Sequence, residues 1–258
     1  MTNVAAVAAF YVTGLMIPAD ANATVQVFLR WIHLFAGITW VGLLYFFNLV
    51  SVPFMKELEA GTRSRVYPGL MSRALWWFRW SSVVTVLMGF GYWNMIVAAD
   101  ARNARAAGID ASGGAAIWTF LVIWTLAFMI EMGVLMSPAE GLKKGPVLGI
   151  VVAIVVVGAS YAYVALNSHG WESNRLLSIG IGGGMGWFMM FNVWGLIWRM
   201  QKKMLRWTSD SAQNGTPLPA EAAKFARLTF LVSRVNFFLS FPMLFFMAAA
   251  SHYPFLVQ

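Results

Sequence analysis

Pro146-Val-Leu-Gly-Ile-Val-Val-Ala-Ile-Val-Val-Val-Gly-Ala-Ser-Tyr-Ala-Tyr-Val-Ala-Leu166 contains no Asp, Glu, Lys or Arg. At about 1.5 Å per residue, such a run coiled as a helix crosses the roughly 30 Å hydrocarbon core of a bilayer. It does not alternate apolar with polar residues, as a strand of a membrane barrel must. Five further stretches read the same way: Val25–Pro53, Leu75–Ala99, Ala115–Met136, Arg175–Trp198 and Leu228–Ala250. The predicted fold is all-α, a polytopic membrane helix bundle of about six transmembrane helices.

Composition agrees. Of 258 residues, 60% are hydrophobic and 11% charged, against about 45–50% and about 25% in soluble domains. That excludes an ordinary soluble enzyme and a disordered chain. With no cysteine there is neither a disulfide scaffold nor a thiol to attach a c-type haem. Two regions are expected, an amino-terminal apolar or interfacial segment over 1–24 and a transmembrane helical domain over 25–258. Within the first, Val4–Ile17 is apolar but short for a span. It reads as a short re-entrant or interfacial helix, ended by Pro18, Ala19 and Asp20, with a short seventh span as the alternative.

The net charge of +8 sits in gaps between apolar runs, so it reports orientation rather than nucleic-acid binding. Lys56, Arg63, Arg65 and Arg73 follow span one. Lys143 and Lys144 follow span three, and Arg199, Lys202, Lys203, Arg206, Lys224 and Arg227 follow span five. The positive-inside rule makes these gaps cytoplasmic. A multi-pass inner-membrane protein with a periplasmic carboxyl terminus is expected. Trp31, Trp76, Trp77, Trp80, Trp93, Trp118, Trp171, Trp198 and Trp207 fall near span ends, as an interfacial belt requires. The stretch Met200–Arg227 reads as a polar cytoplasmic loop, with room for a short helix from Pro219.

Two groups of residues could carry chemistry. His33, early in span one, and His252, just after span six, are expected near the periplasmic face, with Arg30 one turn before His33. Two histidines at one depth could hold a haem b or a transition metal, and Arg30 a headgroup, a carboxylate or a propionate. The alternative is that each histidine caps a helix end or binds a headgroup. His169, in a loop, reads as plain surface. Deeper, Glu131 and Arg234 are expected to pair, with Asn48, Asn192 and Asn236 at similar depth. That cluster is either a proton or anion path or polar glue between helices. Arg79 is expected to snorkel away from it. Gly180, Gly182, Gly183, Gly184 and Gly186 lie inside span five, where small residues permit close helix approach rather than phosphate binding. No internal repeat is visible.

Arg30-Trp31-Ile32-His33, continuing to Ile38-Thr39-Trp40-Val41-Gly42, resembles the first helix of the membrane domain of the cytochrome-c-linked urate oxidase (urate hydroxylase) family. Trp77-Phe78-Arg79-Trp80, Asn192-Val193, Gln201-Lys202-Lys203 and Ser251-His252-Tyr253-Pro254 match the same domain in order and spacing. The resemblance implies a helical membrane domain that oxidises a purine and passes electrons to a periplasmic cytochrome c. No cytochrome domain follows Pro254 in the sequence, so a separate cytochrome c or a larger membrane complex is the expected partner. Ser233-Arg234-Val235-Asn236 carries valine where the resemblance implies histidine, Arg73-Ala74-Leu75 lacks another, and Ser81 stands for a glutamate. These losses remove proton acceptors that urate oxidation needs and point away from urate. The expected role is periplasm-facing electron transfer or oxidation. The alternatives are a non-catalytic accessory subunit of a respiratory or oxygenase complex and, third, small-ion transport.

Overall fold

The computed structural model describes residues 20–254 and Leu256. The segment Val4–Ile17 lies outside the described residues. Among these residues there are only helices and connections, and six helices are long and apolar enough to cross a membrane.

The chain runs α1 (Ala21–Tyr45), a π-helical segment π1 (Phe46–Ser51) and α2 (Val52–Glu57) as one rod, then α3 (Ala60–Ala106), α4 (Gly113–Met136), α5 (Gly145–Ala165), α6 (Asn174–Phe191), a second π segment π2 (Asn192–Ile197), α7 (Trp198–Asn214) and α8 (Ala222–Ala249). Caps follow local chemistry. Asp20 accepts from the Asn22 and Ala23 amides, and Ser112 and Ser173 cap α4 and α6 in the same way, each satisfying donors that a helix start leaves free. Gly215 ends α7 at φ 70°, a left-handed stop that glycine takes without strain.

Every predicted span lies inside a helix or a continuous helical rod to within one residue, but two helices run well past the apolar signal. The 47 residues of α3 reach about 70 Å, more than twice the hydrocarbon thickness, with Pro68 tolerated inside. The expected loop after Trp198 is instead mostly α7, a helix with no buried residue. Its polar composition reads as loop, yet a basic amphipathic helix outside the bilayer has that same composition.

Two ends of the bundle can be told apart by contact. At one, Tyr67 of α3 donates to Gln201 of α7 at 2.9 Å; this basic end carries Lys56, Arg63, Lys143 and α7. At the other, the Ser173 hydroxyl donates to Asp100 at 2.6 Å, and the Asn174 amide donates to the Ala250 and Tyr253 carbonyls. That ties the end of α3, the start of α6 and the end of α8 into a carboxyl-terminal end. Between the ends, α6 is central: 72% of its apolar window is buried inside the protein, against 22% for α5.

The glycines of α6 explain its position. A Cβ at Gly184 would collide with the Trp124 indole of α4, and one at Gly180 with the Tyr163 ring of α5. A Cβ at Gly182 would lie 3.0 Å from the Met243 carbonyl of α8. Three neighbours thus press on one helix at positions where only hydrogen fits. Lipid is as apolar as the helix faces, so such close packing supplies the association.

Candidate functional site

Depth along a helix does not fix angle around it, and the buried polar cluster shows the difference. Glu131 of α4 is 1% exposed, and Asn192 and Asn236 are fully buried. Asn192 donates to the Asn236 side chain at 2.9 Å, and Asn236 donates to the Met189 carbonyl at 3.0 Å. The Asn192 amide is also the polar neighbour of the Glu131 carboxyl. Even so, neither Glu131 oxygen makes a hydrogen bond of good geometry, and the Asn192 Oδ1 is unpartnered. Asn48 extends the cluster along α8, donating to the Ser233 hydroxyl at 3.0 Å and to the Leu44 carbonyl at 2.9 Å. Tyr45 then donates to Ser240 at 3.1 Å.

Four of the five expected members therefore lie along one seam. Arg234 does not, and the expected Glu131–Arg234 ion pair is absent from the described contacts. Two positions along a helix rotate about 200°, so when Asn236 faces α6, Arg234 faces away. Its guanidinium lies over Phe230 at 5.4 Å and Phe237 at 5.9 Å. It lines an apolar groove of about 1100 Å³ between α5 and α8.

Both asparagines of the two long rods lie in π segments, Asn48 in π1 and Asn192 in π2. Widening a turn to π disturbs the regular carbonyl ladder. Here the Asn48 amide reaches the Leu44 carbonyl just before π1 in its own rod, and the Asn236 amide of α8 reaches the Met189 carbonyl just before π2. A short signal was available: Gly42 and Gly186 each precede a Phe-Asn pair by four intervening residues, Gly42-x4-Phe47-Asn48 and Gly186-x4-Phe191-Asn192. It is the one local internal similarity that coincides with a structural one.

His33 is not near the carboxyl-terminal end, where its sequence position predicts it. It sits in the seam between α1 and α3 at the level of Thr85 and Gly89, midway along the Leu75–Ala99 span and about 16–22 Å along α3 from Asp100. Its Nδ1 donates to the Thr85 carbonyl at 2.7 Å, and a Cβ at Gly89 would approach the imidazole to 2.6 Å. A carbonyl can only accept, so Nδ1 carries the proton and the Nε2 of the neutral ring keeps its lone pair. His252 follows the same rule with Ala248 of its own helix, at 3.1 Å, but it is exposed. No hydrogen bond joins the two histidines, and no group of three His, Cys, Asp or Glu able to hold a metal occurs among the described residues. Arg30 is exposed and lies 5.5 Å from the centre of the Tyr92 ring, and Arg175 lies 5.2 Å from the same ring. Tyr92, an ordinary core aromatic by sequence pattern, brings these two cations together.

One other residue, His169, differs from expectation, and Arg79 finds unexpected neighbours. His169 is exposed but not idle: its amide and Nδ1 both bond the carboxylate of Glu172, which is 1% exposed. Arg79 does stay clear of the polar cluster, held over the Trp198 ring at 3.9 Å with Trp80 and Trp194 alongside.

The family described as "Urate oxidase N-terminal" matches residues 58–258. No curated protein and no solved structure matches the chain.

Proposed function

The chain belongs to the urate oxidase N-terminal family, and from that premise we propose that it is a membrane oxidoreductase domain holding a haem b through His33 in the α1–α3 seam. The observation that carries the proposal is the His33–Thr85 bond. A ring nitrogen donating to a backbone carbonyl fixes the tautomer and orients the other nitrogen as a ligand. A bare transition metal asks for three or more protein ligands, whereas haem iron asks for one or two. The absence of any ligand trio among the described residues therefore favours haem. His252 lies beyond α8, level with Asn174 and Asp100 rather than with Thr85 and Gly89, too far along the bundle to share an iron with His33, so His33 is the one protein ligand in this reading. When bound, the haem would accept and release single electrons.

The chain's own residues do the remaining work. Thr85 orients the imidazole, Gly89 makes room for it, and the α1–α3 seam shields it from water on one side. From this mid-span seam, electrons would leave to a periplasmic cytochrome c or a larger complex.

The purified protein is expected to show a Soret band that His33→Ala abolishes and His252→Ala leaves in place, with helicity by circular dichroism unchanged. Wild-type protein with no Soret band and no stoichiometric transition metal overturns the cofactor. Gly89→Ala leaves the ligand in place but displaces its ring, so a shifted rather than missing band is expected.

The groove between α5 and α8 favours a second reading, an accessory subunit that packs against a larger membrane complex. Gly145, Gly149 and Ala153 line it at four-residue spacing, the pattern that admits a close partner helix. In mild detergent such a subunit purifies with its complex, and a lone monomer argues against it.

A further inference from the structure

We propose that Arg30, Arg175 and Tyr92 form a binding site for a single oxyanionic group, a carboxylate or phosphate, at the carboxyl-terminal end of the bundle. The site is independent of any redox group. It draws on three helices: Arg30 from α1, Tyr92 from α3 and Arg175 from α6.

Charge is the first argument. The guanidinium carbons of Arg30 and Arg175 lie 5.5 Å and 5.2 Å from the same Tyr92 ring centre, so two like charges are held around one side chain. All ten Asp and Glu side chains of the sequence are among the described residues, and none forms an ion pair with either arginine. Nearby Asp100 is engaged by Ser173 instead. A half-buried arginine ordinarily meets a carboxylate, and here half-buried Arg175 meets a second, exposed cation, Arg30, and no Asp or Glu side chain.

Helix polarity sharpens the point. Arg175 is the second residue of α6, in the first turn, where the helix dipole is positive and favours acidic side chains. Two cations and a helix start thus add repulsion at one place. An anion removes all three penalties at once.

Unused donors supply the second, independent observation. Tyr92 is 8% exposed, and its hydroxyl has no hydrogen-bond partner among the described residues. The buried Nε of Arg175 is also unpartnered. A phenol and two guanidiniums form a donor set suited to an oxyanion, which accepts several charge-assisted bonds at once. The cation–π contacts to Tyr92 position the guanidiniums without consuming their N–H groups.

Two sources offer this chemistry, the phosphate of an anionic lipid headgroup and a free anion from solution, and one experiment separates them. Full-length protein is reconstituted in nanodiscs of phosphatidylcholine and titrated with inorganic phosphate or acetate at constant ionic strength. Trp93 lies one residue from Tyr92 and its indole bonds the Leu176 carbonyl, so tryptophan fluorescence is the readout. In the lipid arm, nanodiscs contain phosphatidylglycerol, and retained lipid is counted by native mass spectrometry. One saturable site in either arm is expected. Arg175→Gln and Arg30→Gln each weaken it about tenfold or more, and Tyr92→Phe weakens it severalfold. Arg102→Gln, at the same end of α3 but outside the site, leaves it unchanged. No saturable binding in either arm, or binding that survives both arginine substitutions, overturns the proposal. The visible spectrum of the same samples reports on the haem reading separately, so failure of one is distinguishable from failure of the other.

Discussion

Glu131 is the residue whose surroundings are least complete. Its carboxyl is 1% exposed, with both oxygens lacking a well-formed hydrogen bond, and Asn192 is its polar neighbour. An amide of the same shape keeps that neighbour, so Glu131→Gln should shift the melting temperature by a few degrees at most. Glu131→Ala opens a cavity and strands Asn192, costing about 2–4 kcal/mol by thermal or denaturant unfolding in detergent. If Glu131→Gln preserves both the fold and whatever activity the protein shows, the carboxyl is packing alone. Asn236→Ala removes an acceptor and a donor together and should cost about 1–2 kcal/mol. Outside the spans, Lys143 bonds Glu140 at 2.8 Å and holds that carboxyl below the usual carboxylate range, through the hydrogen bond first and its charge second. A depressed folded-state pKa means that the pair's contribution is present at neutral pH and lost as the pH falls through the folded value. Melting temperatures of wild type and Glu140→Gln should therefore differ most near neutrality and converge in acid. Which of these residues meet was only half legible beforehand. Their depth follows from position in an apolar run. The rotation that unites Asn236 with Asn192 and turns Arg234 away follows from packing against α6, which no single helix encodes.

Among the elements, α6 has its packing written most directly in its side chains. Its glycines receive Trp124, Tyr163 and the backbone of α8, so overpacking rather than helix propensity governs substitution there. Gly184→Ala and Gly180→Ala should each destabilise the protein by about 1–3 kcal/mol or block folding. Gly158→Ala, on α5 with nothing within 4 Å of its Cβ, should be neutral or stabilise by up to about 1 kcal/mol through helix propensity. Unfolding of the three variants in one detergent tests the contrast, and equal losses would refute it. Close approach was legible from the small residues alone. The partners were not, because Trp124 and Tyr163 look like any other aromatic of an apolar run. The π segments were hidden for a related reason. A widened turn leaves hydropathy unchanged, and only the repeated Gly-x4-Phe-Asn marks it. The opposite failure occurs in α7, where a polar composition conceals a helix because nothing apolar requires it to be one.

For the molecule as a whole, six spans and their order were legible because a bilayer admits few solutions: every backbone polar group must be satisfied within its own helix. Orientation rests on a different force. Twelve of the 18 Lys and Arg residues flank spans at the basic end, whereas Arg30, Arg102, Arg105 and Arg175 lie toward the other. By the positive-inside rule α7 would lie in the cytoplasm and the Arg30 and Arg175 region on the far side, the arrangement the proposed function assumes. The natural chain has no cysteine, so a single introduced thiol reports on its own position. Asp110, between α3 and α4, and Thr216, after α7, are both exposed and outside the spans. Asp110→Cys is expected to react with a membrane-impermeant maleimide on intact spheroplasts, and Thr216→Cys only after lysis. The reverse pattern would put the anion site on the cytoplasmic side. It would remove the periplasmic electron acceptor from the proposed function while leaving the geometry of both sites as it stands.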